Sequence, residues 1–304
     1  MGIIAELKHT FTGHEGPIYA LEQDTDRIGF FSGSGDQLVS AWSFDLDVPP
    51  KALINVGATV YSICFVQQLN SILVGQANGG LHVIDLTKKE EVRLLKHHSA
   101  GIFDIKYSAN NKHVYTVGGD GVLAVWDLNT FTLLKCFNFC KEKLRGLALK
   151  PGDAELAISC GDGFIRIIDT KELVLKHQFE AHKLSANTVF YHPIQSVLLS
   201  GGRDAILNFW DTESYQLVNS IPAHNYAIYS IDFSEDARYF ATGSRDKTVK
   251  IWDAENLEFL LRIDKEKNKG HAYSVNKILW SGSEILLSAG DDKSIKFWSI
   301  SKEE

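Results

Sequence analysis

The sequence predicts an all-β fold: a seven-bladed β-propeller of four-stranded antiparallel blades, its ring closed by an N-terminal strand that completes the last blade. Three observations predict it. A marker position recurs in steps of 42 residues at Trp42, Ile84, Trp126, Ile168, Trp210 and Trp252, and a last step of 46 reaches Trp298. Five of the six tryptophans occupy that position, which random placement would hardly produce. Each unit also holds four short apolar runs, punctuated in several units by Gly-Asp or Asp-Gly turns, the pattern of strands joined by hairpins.

The third unit shows the elements in order: IFDIKYS, HVYTVGG, VLAVWDL and TLLKCFN. Runs that are apolar on both faces, such as VLAV, suit a sheet stacked between two others. Residues 1–11 are too few for a blade, yet ELKHTF is like the segments LLKCFN and LVNSIP that precede later repeats, and the last repeat stops soon after Trp298. The N-terminal strand is therefore expected to supply the missing strand of the last blade, so that strand pairing between the chain ends leaves no open edge in the joint.

Other residues share the period. Stepping back from Trp126 leads to Asp120, Thr116 and His98, and the same offsets lead to His14, Ser32, Asp36 and Trp42; His182, Ser200, Asp204 and Trp210; and His224, Thr242, Asp246 and Trp252. The last repeat, one residue shorter inside, has His271, Ser288, Asp292 and Trp298. Each set makes a hydrogen-bond chain from indole to hydroxyl to imidazole to carboxylate, which spares every buried polar atom the roughly 1–3 kcal/mol cost of lacking a partner. Repeats 2 and 4 are an internal control: Val56, Val74, Asn78 and Ile84 replace one set, and Cys140, Ile158, Asp162 and Ile168 another. The His, hydroxyl and Trp disappear together, as members of one network must. A Ser-His-Asp hydrolase would carry its triad once, in a cleft, and no catalytic residue is assigned here.

A repeat of 40 to 45 residues with a Trp-Asp ending, as in Trp126-Asp127, and a Gly-His opening, as in Gly13-His14, resembles the WD40 (WD-repeat) family over nearly the whole chain. Seven repeats in 304 residues are expected to form a single domain spanning 1–304.

Composition narrows the function. A net charge of −7 and a pI near 5.9 supply no basic field for a phosphate backbone, so nucleic acid is not expected as a partner. No apolar run is long enough to span a membrane, and Glu6 stands where a myristoylation motif starting at Gly2 needs Ser or Thr. The first residues lack a secretory pattern. Cys64, Cys136, Cys140 and Cys160 show no metal spacing and are expected as buried thiols of a reducing compartment. The expectation is a cytoplasmic protein, monomeric on its own, without metal or cofactor.

The turns SANNK, KPGD, SEDA, LTKK and TKEL fall on one rim; the His-containing loops and Asp turns fall on the other. On that second rim Asp264–Gly270, DKEKNKG, inserts five residues before His271, as a mobile solvated loop or as a contact loop for a partner.

The innermost strands begin with Ile18, Val60, Ile102, Leu144, Ala186, Ile228 and Val275, and the next residues are Tyr19, Tyr61, Phe103, Arg145, Asn187, Tyr229 and Asn276. The second set circles the channel mouth. Buried there, Arg145, Asn187 and Asn276 would lack obvious partners, so the position is expected to meet solvent. The residue before each turn Asp makes another circle: Gly35, Ala77, Gly119 and Gly161 are small, whereas repeats 5 and 6 carry Arg203 and Arg245, and Tyr226 and Tyr273 lie in adjacent loops. Aromatic and Arg residues carry most of the energy at interfaces. In the WD40 family, the resemblance implies, such positions receive a peptide or partner loop. Two readings stand: a binding surface, or aromatics that plug the channel while Arg203 and Arg245 pair with carboxylates such as Asp232 or Glu235.

The favoured function is a non-catalytic scaffold or adaptor that binds protein or peptide partners at this mouth, with the arginines favouring acidic or phosphorylated segments. Two alternatives are kept: an enzyme or small-ligand binder using the central channel, and an obligate complex subunit bound through other faces. The first would need converging carboxylates or imidazoles, whereas the seven inner positions carry no carboxylate and His97, His113, His177 and His192 are scattered.

Overall fold

The computed structural model describes residues 2–24 and 26–303; Thr25 and the two ends of the expected 1–304 span, Met1 and Glu304, lie outside them. Seven four-stranded antiparallel sheets are arranged as the blades of a propeller. Blade 3 consists of Ile102–Ser108, His113–Gly118, Val122–Asp127 and Leu133–Asn138, within a residue of the four runs read from the sequence. In six blades the strands lie in chain order from the channel outward, and in the last the outermost strand is Ile3–Phe11. Innermost strands of successive blades pack on one another, and that of blade 1, Ile18–Gln23, touches both Val60–Val66 of blade 2 and Val275–Ser281 of blade 7.

The predicted closure is present. Ile3–Phe11 pairs antiparallel with Ile295–Lys302, in a register that sets Phe11 opposite Ile295 and Leu7 opposite Trp298. Phe11 is buried in the joint, its ring 5.3 Å from Phe30, 5.5 Å from Trp42 and 6.3 Å from Phe297. Apolar clusters fill the spaces between blades: Val117, Leu123 and Val125 of blade 3 pack against Leu144, Leu147 and Ile158 of blade 4. That burial is the main cohesive term, at about 25 cal/mol per Å² of apolar surface.

All five hydrogen-bond chains form. In blade 1 the Trp42 indole donates to Ser32 Oγ at 2.7 Å, His14 Nε2 lies 2.7 Å from the same hydroxyl, and His14 Nδ1 lies 2.8 Å from Asp36. In blade 6 the corresponding distances are 3.0, 2.8 and 2.9 Å through Thr242, His224 and Asp246. Blade 4, which lacks the set, uses a different device: Arg166 donates to Asp162 at 2.7 and 3.1 Å, its guanidinium 5.5 Å from the Phe139 ring and 5.4 Å from the Phe164 ring. The Asp turns share one backbone feature. The residue after each Asp, or after Asn78 in blade 2, has positive φ: Gln37, Gly79, Gly121, Gly163, Ala205, Lys247 and Lys293.

The Asp264–Gly270 insertion contains one helical turn, Lys265–Asn268, in which Lys267 N donates to Asp264 Oδ1 at 2.9 Å. One expectation is corrected. Cys64 and Cys160 are buried, but Cys136 and Cys140 are only half-buried, because they lie on or just after the outermost strand of blade 3.

Candidate functional site at the channel mouth

The seven residues of the inner circle owe their position to a repeated irregularity. Ile18 pairs with Ser34 while Ala20 pairs with Gly33, so Tyr19 is an extra residue with no partner across the ladder. The same shift isolates Tyr61, Phe103, Arg145, Asn187, Tyr229 and Asn276. A β-bulge bends its strand and re-aims the extra side chain. Here it turns seven side chains out of the blade interior: all seven are half-buried, while the seven apolar residues before them are fully buried.

These residues line one open cavity of about 420 Å³, together with Lys143 and Asp291. The Tyr19 and Tyr61 rings meet edge to face at 5.3 Å, and Tyr61 and Phe103 lie 5.2 Å apart. Lys143 Nζ and the Arg145 guanidinium are each 5.6 Å from the Phe103 ring. Burial, together with the charge of Asp291, raises the Tyr19 pKa, so its hydroxyl stays protonated and able to donate.

Asn187 and Asn276 are half-buried, and each also has a protein partner. Asn187 Nδ2 donates to the Ile228 carbonyl at 3.1 Å, and Asn276 Nδ2 donates to the Ile18 carbonyl at 3.1 Å and to Asp291 at 2.7 Å. Each amide ties its blade to the next. Arg145 keeps a buried Nε without a protein partner.

Arg203 and Arg245 are exposed, and neither pairs with Asp232 or Glu235. Asp232 accepts from Trp280 N at 2.7 Å, and Glu235 pairs with Arg27. The two arginines join Glu142, Lys143, Arg145 and Ser185 around a second cavity of about 320 Å³, next to the first and sharing Lys143, Arg145, Asn187 and Tyr229 with it. Tyr226 and Tyr273 line neither cavity and stand exposed outside them, beneath Arg245 at 5.8 Å and Lys247 at 5.9 Å respectively.

Sequence reasoning passed over Asp291. It occupies the blade 7 position equivalent to Arg203 and Arg245, directly before the turn Asp292, so the same register rule leads to it. The mouth therefore holds a carboxylate, tied to Asn276. Among the described residues no three His, Cys, Asp or Glu side chains gather as a metal site, and no helix is long and apolar enough to cross a membrane.

The WD domain, G-beta repeat model matches residues 5–43, 89–127, 173–211, 215–253 and 265–299, more than half of the chain. The chain belongs to the WD40 family. The stretches between these matches contain repeats 2 and 4, the two in which the His, hydroxyl and Trp are missing. Curated relatives include WD repeat-containing protein 90 of Xenopus tropicalis, 25% identical over 137 residues, which are 42% of this chain and 7% of that protein. THO complex subunit 6 of Homo sapiens is 26% identical over 130 residues, 40% of this chain and 38% of the relative. The serine-threonine kinase receptor-associated protein of Gallus gallus is 27% identical over 132 residues, 42% of this chain and 37% of the relative. The matches thus take in 38% or less of each of these relatives.

Proposed function

We propose that this WD40 protein is a non-catalytic adaptor that receives a peptide or a partner loop in the bulge-lined mouth. One observation carries the reading. Seven independent bulges deliver seven side chains, four of them aromatic, to a single open cavity, although a plugged channel would need neither the bulges nor the opening. Because the side chains rest on rigid inner strands, the ordering cost of binding falls on the incoming segment, and aromatic burial supplies affinity. The unpaired Arg145, Arg203 and Arg245 favour acidic or phosphorylated segments over basic ones. Names such as THO complex subunit 6 and serine-threonine kinase receptor-associated protein describe relatives that work beside other proteins, which supports the general reading. The four free thiols suit a reducing, cytoplasmic setting.

The test compares binding partners of the wild type with those of a Tyr61→Ala/Phe103→Ala/Arg145→Ala variant whose melting temperature shows it to be folded. Loss of a partner from the variant alone supports the mouth as the site. Retention of every partner removes it.

A specific observation favours a second reading, attachment to a larger complex through the opposite rim. A cavity of about 580 Å³ there is lined by Ile194, Tyr239, Leu260, Asp253 and Glu255, with Ile194 77% exposed. An Ile194→Asp variant that loses partners retained by the mouth variant would support it.

A further inference from the structure

We infer that the cavity beside the aromatic cup is a phosphoryl-reading subsite, which takes a phosphorylated side chain of a partner segment while a neighbouring apolar side chain of that segment fills the cup. This rests on the proposed use of the mouth and specifies what the mouth selects.

Four cations, Lys143, Arg145, Arg203 and Arg245, converge on that cavity against one carboxylate, Glu142. Among the described residues none of the four takes part in an ion pair, although every other arginine but Arg93 does. The excess is local and runs against the whole, because the chain carries a net charge of −7. Like charges gathered in one cavity repel, whereas Arg238 and Arg262 elsewhere each pair with a carboxylate two residues away, Asp236 and Asp264. Here the counter-charge has to come from outside. Arg145 also has a buried Nε without a protein partner, and among the described residues its guanidinium has no carboxylate beside it.

The arrangement favours a phosphoryl group over a carboxylate on two counts. Its charge of about −1.5 to −2 matches a surplus of several cations better than a single negative charge does. Its three terminal oxygens point in three directions, as do donors delivered by three successive blades: Arg145 from blade 4, Arg203 from blade 5 and Arg245 from blade 6. A planar carboxylate satisfies one fork at a time. The cavity shares Arg145 and Tyr229 with the aromatic cup, so both can be filled by one short segment only if the phosphorylated residue and an apolar residue lie close in its sequence.

The experiment uses the full chain and three immobilised peptide pools with randomised flanks, fixed centrally as phosphoserine, serine or glutamate. Retention of the phosphoserine pool at least about tenfold above both others is expected, a difference of about 1.4 kcal/mol. An Arg203→Ala/Arg245→Ala variant, altered at two exposed positions, should lose that preference while melting like the wild type. Sequencing the retained peptides should reveal an apolar residue near the phosphoserine, and Tyr61→Ala should remove that enrichment. Equal retention of the three pools, with binding still lost in Tyr61→Ala, overturns the phosphoryl subsite and leaves the peptide-binding mouth standing. Binding that Tyr61→Ala and Arg203→Ala/Arg245→Ala both leave unchanged overturns both. Retention of none of the pools overturns the subsite, and so does inorganic phosphate binding as tightly as the best phosphopeptide, which marks a small-anion site.

Discussion

Asn276 reaches across the closing joint of the ring to Ile18, its Nδ2 donating to the Ile18 carbonyl at 3.1 Å. Comparable inner-strand bonds cross other joints: Glu22 accepts from Phe65 N at 3.2 Å, Asp104 from Leu147 N at 2.8 Å, and Asp232 from Trp280 N at 2.7 Å. Closure thus has two independent ties, the outer strand pair of Ile3–Phe11 and this inner amide. Asn276→Ala should lower stability by about 1–2 kcal/mol in urea denaturation, the cost of losing the part-buried bond to the Ile18 carbonyl. An unchanged midpoint would show that the amide positions Asp291 without holding the joint.

The outer tie is tested at Phe11, whose ring is enclosed by three others. Phe11→Ala should cost about 3–5 kcal/mol, and deletion of residues 2–11 more, because the cavity opens between the two chain ends. Calorimetry of both proteins would show it. A deletion that melts like the wild type would mean that strand pairing does not close the ring.

Thr242 serves two partners at once, accepting from the Trp252 indole and facing His224 Nε2. Thr242→Val should cost about 2–4 kcal/mol, since two buried groups lose their partner. Adding His224→Val and Trp252→Ile, the residue types that repeat 2 carries, should cost less than the three single changes summed, because hydroxyl, imidazole and indole then leave no partner behind among themselves. Strict additivity in denaturant titrations would contradict a connected network.

Stability should fall with acid in two stages. Burial holds the His224 pKa below its ordinary 6.5, outweighing the opposing pull of Asp246, so the unfolded chain binds a proton there more readily and stability declines as pH drops below about 6.5. Asp246 behaves in the same sense. Burial alone would raise its pKa, but the His224 hydrogen bond and charge hold the carboxyl well below the usual range, and Asp292 is held likewise by His271. Their stabilisation is complete above the unfolded value of about 4 and is lost as pH falls from there toward the folded values. Melting temperatures across pH 3 to 8 should therefore decline gently below 6.5 and steeply below 4, and Asp246→Asn should flatten the steep arm.

Ala205 has φ +66°, the left-handed backbone that side chains with a Cβ resist. Gly79, Gly121 and Gly163 occupy the same turn position in other blades, and a Cβ on Gly121 would lie 2.0 Å from the Cys140 carbonyl. Ala205→Gly should therefore raise stability by up to about 1 kcal/mol, the relief of strain exceeding the added freedom of the unfolded chain. A lower melting temperature would show that the alanine methyl packs favourably in its turn.

The sequence by itself determined what repeats and what periodicity can carry: seven blades, four strands in each, five hydrogen-bond chains with two blades lacking them, and closure through a strand within residues 1–11. These were legible because each is a relation at constant spacing, and a network that must be whole or absent marks its members by their joint loss. The inner circle from Tyr19 to Asn276 was legible for the same reason. Contacts between blades were not, because they join residues whose separation obeys no period. That Asn187 and Asn276 serve as ties, that Arg203 and Arg245 stay unpaired, that Asp291 enters the mouth beside Tyr19, and that Arg166 takes over the turn carboxylate in blade 4 were decided only when the ring closed and set side chains from distant repeats against one another. The bulge belongs to the same class. Its residue looks like any other in a strand until the ladder skips it, and that skip turns seven ordinary side chains toward one mouth.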